Sequence, residues 1–425
     1  MIERPLYLEK LKQKMWNGSI KVITGIRRSG KSYLLNTIFY DYLISTGVDE
    51  NHIIQFSFDS AIDLEKIGED LIELEKDKKK INYKKFISYI STVADSNEKF
   101  FLLLDEVQRL EAFEFVLNGY LAVGTFDIYV TGSNSKFLSS DVITEFRGRG
   151  DEIHIMPLSF SEFYNYTKGD ISRQLDEYMT YGGMPRVVLV KTPEEKMSYL
   201  ANQFEGTYIK DVIERNNINN VEELNDLLNV IASGISSLTN PNKLENAFKS
   251  KKKVKLSADT IAKYIRFFEE SFILKKALRY DVKGKAYIST PYKLYFEDTG
   301  LRNARLGFRQ VEYTHIMENV IYNELRCRDF IVDVGVVEIR EGHNRKQLEV
   351  DFVANKGNNR YYIQSAYDIS GEEKLKQETR SLDNTQDSYK KIIVVNQNII
   401  SKRNDKGYLF ISLAEFLTNP NSLDL

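Results

Sequence analysis

The residues best suited to chemistry form one run: Gly25, Ile26, Arg27, Arg28, Ser29, Gly30, Lys31 and Ser32 fit G-x-x-x-x-G-K-[ST] without deviation. The residue types explain the spacing. Glycines let the backbone bend around an anion so that successive N–H groups point inward. A helix opening at the end of the run adds the positive end of its dipole. Lys31 is placed to reach the β- and γ-phosphates of a nucleoside triphosphate, and Ser32 to hold Mg2+ through its hydroxyl. Tyr33 completes the residues expected at the phosphates. Further along, the apolar run Phe101–Leu104 ends in Asp105 and Glu106. Asp105 is the candidate to hold Mg2+ through water, and Glu106 to accept the proton of an attacking water. A paired Asp-Glu favours hydrolysis over a mere nucleotide clamp. At the tip of the next apolar run, Thr131-Gly-Ser133-Asn134-Ser135, Asn134 is the first candidate to orient that water, and Ser133 the second. Arg147 and Arg149 follow, as candidates to offset transition-state charge in this chain or in a neighbouring subunit.

These groups can act together only if one sheet edge presents them. Four short apolar runs, Lys21–Thr24, His52–Phe58, Phe100–Leu104 and Phe126–Thr131, are bounded by turn signals and separated by helix-length segments. That pattern predicts buried strands of a parallel α/β sheet. The phosphate run follows the first strand and opens a helix over Ser32–Ile44. The segment Ile62–Ile90 has the charge and periodicity of one or two amphipathic surface helices. Four regions separate: residues 1–165, the α/β core; 166–235, helical, with a turn at Gly182–Pro185; 236–310, two helices and a hairpin; and 311–425, a second α/β unit. In the last, a helix over Ile316–Cys327 precedes strands at Val334–Ile339, Gln347–Ala354, Arg360–Ala366 and Lys391–Asn396, with a charged helix over Glu372–Leu382.

Composition sets the outer bounds. The chain has 425 residues, 42% hydrophobic and 28% charged, which excludes a disordered tail, a collagen or a solenoid. Its formal net charge is −2, so nucleic-acid contact requires a local patch. The lone Cys327 excludes an intramolecular disulfide and a Cys-rich zinc site. No apolar run approaches the roughly 18 residues that span a bilayer, and no apolar signal core opens the chain, so a soluble, cytoplasmic protein without a membrane partner is expected. One patch stands out. Residues 241–285 hold 13 Lys/Arg against 5 Asp/Glu, a local charge of +8. There Ser257 caps an amphipathic helix with Ile261, Tyr264, Ile265 and Phe268 on its apolar face, before a hairpin at Val282–Tyr287. Two helices and a hairpin outline a winged helix-turn-helix, which would set Lys251, Lys252, Lys253, Lys263 and Arg266 against DNA phosphates. The competing reading is a solvated basic surface, or a face that docks an acidic part of another domain.

The order of phosphate loop, LLLDE, TGSN and an Arg-rich turn before Met156-Pro-Leu-Ser-Phe-Ser-Glu-Phe163 resembles a prokaryotic family of AAA-superfamily ATPases. Further matching segments are Tyr181-Gly-Gly-Met-Pro185, Thr207–Arg215 and Lys293–Leu301, so the resemblance covers nearly the whole chain. It implies ATP binding and hydrolysis with Mg2+, a core closed by the PLSF segment, an Arg finger or sensor before it, and a C-terminal domain of unknown function with a nuclease-like core.

That last part resembles a restriction-endonuclease-like core, whose pattern is D…(D/E)-x-K on adjacent strands. Two carboxylates there hold a divalent cation, and the lysine stabilises developing charge. Glu318 and Asp351 fit, but Gln364 stands for the second acid and Ala366 for the lysine. A neutral amide is a poor Mg2+ ligand and alanine supplies no charge. Lys374 and Lys376 are the nearest substitutes in sequence. The expected protein is therefore an ATPase that switches or drives a nucleic-acid-binding, nuclease-like half without cleaving. The alternative is a regulatory ATPase whose C-terminal half binds a protein partner, with ATP as an assembly switch; a homo-oligomer or a protein partner is the expected assembly.

Overall fold

Strands β1 (Ile20–Thr24), β3 (Phe100–Asp105) and β4 (Phe126–Thr131) are buried at every position, as expected of central strands covered on both faces. The computed structural model describes residues 2–72, 80–95, 97–132, 146, 148–252, 256–309 and 311–425, the side chains of Lys251 and Lys252 excepted. It divides into two units, Met1–Met156 and Pro157–Leu425.

In the first unit, β2 (Ile53–Ser57) and β5 (Gly150–His154) join these strands in the order β2-β3-β4-β1-β5, with every ladder parallel. The four strands expected from sequence are present within one or two residues of their predicted ends. The fifth, GDEIH, lacks an apolar run because it is a half-buried edge strand. Parallel pairing puts all strand C-termini on one edge, which is where α/β sheets bind ligands. Leu102, Leu104, Val22, Phe56 and Val130 fill the core. On the N-terminal helix Pro5–Gln13, Tyr7 and Leu11 are buried.

In the second unit, helices Ile171–Tyr181, Pro185–Leu189, Pro193–Gln203 and Val221–Ser233 account for the expected helical region. An eight-stranded mixed sheet follows: β6 (Leu274–Asp281), β7 (Ala286–Phe296), β8 (Ile331–Glu341), β9 (Asn344–Lys356), β10 (Asn359–Ala366), β11 (Lys390–Val395), β12 (Lys402–Arg403) and β13 (Leu409–Ser412). Their order is β12-β13-β11-β10-β9-β8-β6-β7. The hairpin expected at Val282–Tyr287 is the β6–β7 turn, where Asp281 accepts the Lys283 and Gly284 N–H groups. Its strand β6 pairs with β8 over Arg279–Asp281, which joins the hairpin to the sheet of residues 331–412 instead of leaving it as a separate wing. At the outer edge, β7 carries Pro291, and Tyr292 exchanges both backbone hydrogen bonds with Thr239.

The PLSF segment belongs to this second unit. Ser159 and Glu162 form a capping box, and Phe160 and Phe163 pack edge-on against Tyr178. A buried carboxylate fastens the Gly182–Pro185 turn. Asp298 accepts the Gly183 N–H at 2.7 Å and the Leu301 N–H at 2.9 Å. Burial raises its carboxyl to about 6, against the lowering effect of these backbone donors. A Cβ on Gly182 would lie 2.3 Å from Asp298 Oδ1, and one on Gly300 would lie 2.0 Å from the Tyr181 carbonyl oxygen, so both positions require glycine. Asp298→Ala orphans buried N–H donors and is expected to cost about 2–4 kcal/mol, read by denaturant unfolding of the full chain.

Candidate functional site

The phosphate-loop run leaves β1 and turns into a helix over residues 31–45, with a π-helical stretch at Leu34–Phe39. Its tight path has local causes. Gly25 has φ +140, and a Cβ there would sit 2.2 Å from the Ile155 carbonyl oxygen. Gly30, at the helix start, has φ +97, and Arg28 is also left-handed at φ +63. From the N-terminal helix's cap, the buried Arg4 guanidinium donates to the Ser29 carbonyl at 3.0 Å and to the Met156 carbonyl at 2.8 Å. It thereby pins the loop to the segment after β5. Lys31 is buried and donates to the carbonyls of Gly25 and Ile26, each at 3.0 Å. Ser29 Oγ is buried with no hydrogen-bond partner among the described residues.

The acidic pair meets this loop. Ser32 Oγ donates to Asp105 Oδ1 at 2.9 Å. Burial pushes the Asp105 carboxyl above its ordinary range, opposed by hydrogen bonds from Thr131 and Ser32. β4 lies between β1 and β3, and its last residue, Thr131, is beside the acids. There the Thr131 hydroxyl donates to Asp105 Oδ1 and accepts the Glu106 N–H at 3.1 Å. Glu106 is in the left-handed region at φ +53 and ψ +44, an uncommon conformation for a non-glycine residue, and Gln108 donates to its carboxylate. Thr131 was not singled out from sequence. Its position as the last residue of FDIYVT, beside two polar tips, was the available signal.

The set has the chemistry of a Mg2+–triphosphate site. Loop N–H groups, an orphaned serine hydroxyl and an ammonium suit phosphate oxygens, while the Ser32 hydroxyl and Asp105 carboxylate are hard oxygen donors of the kind Mg2+ takes. Not every expected residue joins it. Ser133, Asn134 and Arg147 lie outside the described residues. Arg149 does not stand at this edge. Its carbonyl accepts the Ile20 N–H, which places it at the start of β1 and β5. That is a strand length, roughly 13 Å, from the loop, because parallel strands put starts and ends on opposite edges. It is therefore out of reach of this chain's own phosphate loop.

In the second unit, Ile261, Tyr264, Ile265 and Phe268 are buried as expected, and Lys263 and Arg266 are exposed one helical turn apart. Both cations lie over the Phe267 ring, and Arg266 also pairs with Glu270 at 3.6 Å. Lys251 and Lys252 lie in a π-helical stretch, Phe248–Lys252, and Lys253 lies outside the described residues. Of the positions singled out by the restriction-endonuclease resemblance, Glu318 and Asp351 converge, and Gln364 Oε1 accepts the Asp351 N–H at 3.4 Å. Their common partner is Lys293, which the sequence did not suggest. Lys374 and Lys376 instead pair with Asp368 and Glu372 on the surface.

Comparison with known proteins agrees with the first unit's geometry. Residues 17–164 match a family model described as an AAA domain, and residues 172–312 match a domain of unknown function, DUF8612. Over 403 residues the chain is 33% identical to an uncharacterized protein of Haemophilus influenzae, spanning 93% of this chain and 94% of that one. The chain belongs to that protein's family. An uncharacterized protein of Methanocaldococcus jannaschii is 28% identical over 412 residues, 93% of this chain and 84% of that one. Among solved structures, the Aeropyrum pernix ORC1 protein in complex with DNA aligns with TM-score 0.35 and 11% identity over 72% of this chain and 92% of that one. Protein VC1899 from Vibrio cholerae aligns with TM-score 0.22 and 14% identity over 95% and 97%. With its parallel sheet and phosphate loop, the N-terminal unit of this family member is an AAA-type P-loop domain.

Thr131→Val keeps the side-chain volume and removes both hydroxyl hydrogen bonds. Mg2+-dependent nucleoside triphosphate hydrolysis is expected to fall about 10–100-fold, with nucleotide affinity retained, in steady-state kinetics beside equilibrium binding.

Proposed function

We propose that this protein binds ATP with Mg2+ at the Gly25–Ser32 loop and hydrolyses it, and that the ATPase cycle controls a nucleic-acid-binding C-terminal half. The observation that carries the reading is the joined set of Ser32, Asp105, Thr131 and Glu106 at one sheet edge. Mg2+, when bound, supplies positive charge on the β- and γ-phosphate oxygens. Lys31 exchanges its two loop carbonyls for phosphate oxygens. Ser32 and Asp105 are oriented by their mutual hydrogen bond to hold the metal side of the site. Thr131 fixes Asp105 and the Glu106 backbone, and Glu106 accepts the proton of the attacking water. Gln108 holds that carboxylate in place beforehand. An arginine finger in this reading comes from Arg147, or from Arg149 of a second copy.

For the second half, the exposed pair Lys263 and Arg266, with Lys251, Lys252 and Lys253 preceding them in sequence, supports a sequence-independent grip on DNA phosphates. Gln364 and Ala366 in place of acid and lysine argue against cleavage, so Mg2+-dependent nicking is not expected. Among the described residues no helix is long and apolar enough to cross a membrane.

ATP turnover is to be measured with and without double-stranded DNA at two salt concentrations. Stimulation by DNA that fades with salt is the expected result. Turnover indifferent to DNA refutes the nucleic-acid role and favours a protein partner. Glu106→Gln is expected to keep ATP bound while turnover drops about 10²–10⁴-fold, and Lys31→Ala to abolish binding or turnover. A Glu106→Gln protein that turns over like wild type removes Glu106 as the base. Neutralising Lys251, Lys252 and Lys253 together is expected to weaken DNA binding and to reduce the log–log salt slope by up to about 3. An unchanged slope removes the patch from the DNA reading.

A further inference from the structure

The nuclease-like cluster of the second unit already contains a cation. Lys293 and Tyr295 stand two residues apart on β7 and so share a face. The Lys293 side chain is only 3% exposed, and its Nζ lies 2.8 Å from Glu318 Oε1, 2.7 Å from Glu349 Oε1 and 3.8 Å from Asp351 Oδ1. Tyr295 donates its hydroxyl to the same Glu318 oxygen at 2.6 Å. Asp351 Oδ2 accepts the Ser365 N–H at 2.8 Å, and the Gln364 amide donates to Glu378 at 3.4 Å. The carboxylates that a metal-dependent nuclease would aim at its ion are thus aimed at an ammonium.

These residues do not fit a divalent metal. Mg2+ and Ca2+ need oxygen ligands at about 2.0–2.6 Å in a closed shell, and the lysine takes the space and the lone pairs such a shell would use. Among the described residues, no group of three His, Cys, Asp or Glu side chains is arranged to hold a metal ion. Buried carboxylates nevertheless require a counter-charge. Opposite three carboxylates, one ammonium leaves an excess of two negative charges if all are ionised. The 35% exposure of the Glu349 side chain relieves part of it. Burial and the neighbouring Glu318 carboxylate relieve more, by raising the Asp351 carboxyl far above its ordinary range, while the three carboxylates hold Lys293 in its charged form against burial.

We infer that the Lys293 ammonium is the resident cation of this cluster, in the position of a divalent metal ion, and that it makes the C-terminal unit a metal-independent, non-cleaving module. The inference goes beyond the ATPase reading and stands whether or not ATP is hydrolysed.

The test is thermal unfolding of the full chain without nucleotide, in EDTA and in millimolar Mn2+. Lys293→Met keeps the length of the side chain and removes its charge. In EDTA it is expected to unfold about 10 °C below wild type, and Mn2+ is expected to raise its midpoint by more than it raises that of wild type. The phosphate loop is present in both proteins, so the difference between their Mn2+ shifts reports the cluster. An equal Mn2+ shift in the two proteins, or a variant that unfolds with wild type in EDTA, overturns the inference. If Lys293→Met yields no folded protein, Lys293→Met/Asp351→Asn removes one charge of each sign. Recovery of a folded protein by the double variant supports the inference, and failure to recover overturns it.

Discussion

The nucleotide edge of this protein depends on a strand order. Because β4 lies between β1 and β3, the phosphate loop and the acidic pair are not neighbours on the sheet. Asp105 reaches the loop across that gap through Ser32 Oγ, and the Thr131 hydroxyl at the tip of β4 holds the acidic pair in place for that contact. A hydroxyl both donates and accepts, so one atom serves the Asp105 carboxylate and the Glu106 backbone together. With Asp105 held, Ser32 has a partner, and with Ser32 held, the first turn of the helix after the loop is placed. The left-handed backbone at Glu106 fits this account. A strained residue at a strand end persists where its neighbours over-determine it, and here a hydrogen bond at the amide and another at the carboxylate do so.

The second unit solves a related electrostatic problem in another way. At the nucleotide edge, carboxylates lie beside hydroxyls and an open loop, an arrangement able to accept a metal ion. In the second unit, carboxylates from a helix and a strand surround an ammonium from the same chain. Two acidic clusters in one protein thus differ in their neighbours: hydroxyls at one, an ammonium of the same chain at the other.

Much of this was legible in the sequence, for physical reasons. The phosphate loop is contiguous, with Gly25 required by a close backbone neighbour and Gly30 by its positive φ, so eight residues carry the whole signal. The buried parallel strands announce themselves as apolar runs. Thr131 was harder, because its role follows from which strands are neighbours and not from its surroundings in the chain. Lys293 was harder still. It sits in Tyr292-Lys-Leu-Tyr-Phe296, which reads as a strand, and its carboxylate partners come from the later helix Tyr313–Cys327 and from β9. Motif spacing directs attention to Ala366, Lys374 and Lys376, where local pattern and actual charge balance part company. Arg149 shows the converse. It is close in sequence to the end of the core, yet it marks the start of a strand and therefore the far edge of the sheet.

The two borders of the eight-stranded sheet bear on how the chain behaves at high concentration. Open sheet borders are templates for pairing with another molecule, and proteins blunt them with short strands, charge and proline. One border here, β12, is two basic residues long. The other, β7, is eleven residues long, but Pro291 has no N–H to offer and the Tyr292 backbone is already committed to Thr239. Among the described residues, these two borders leave no long uninterrupted row of donors and acceptors for a second sheet to copy. This sheet thus carries its own protection against edge-to-edge pairing.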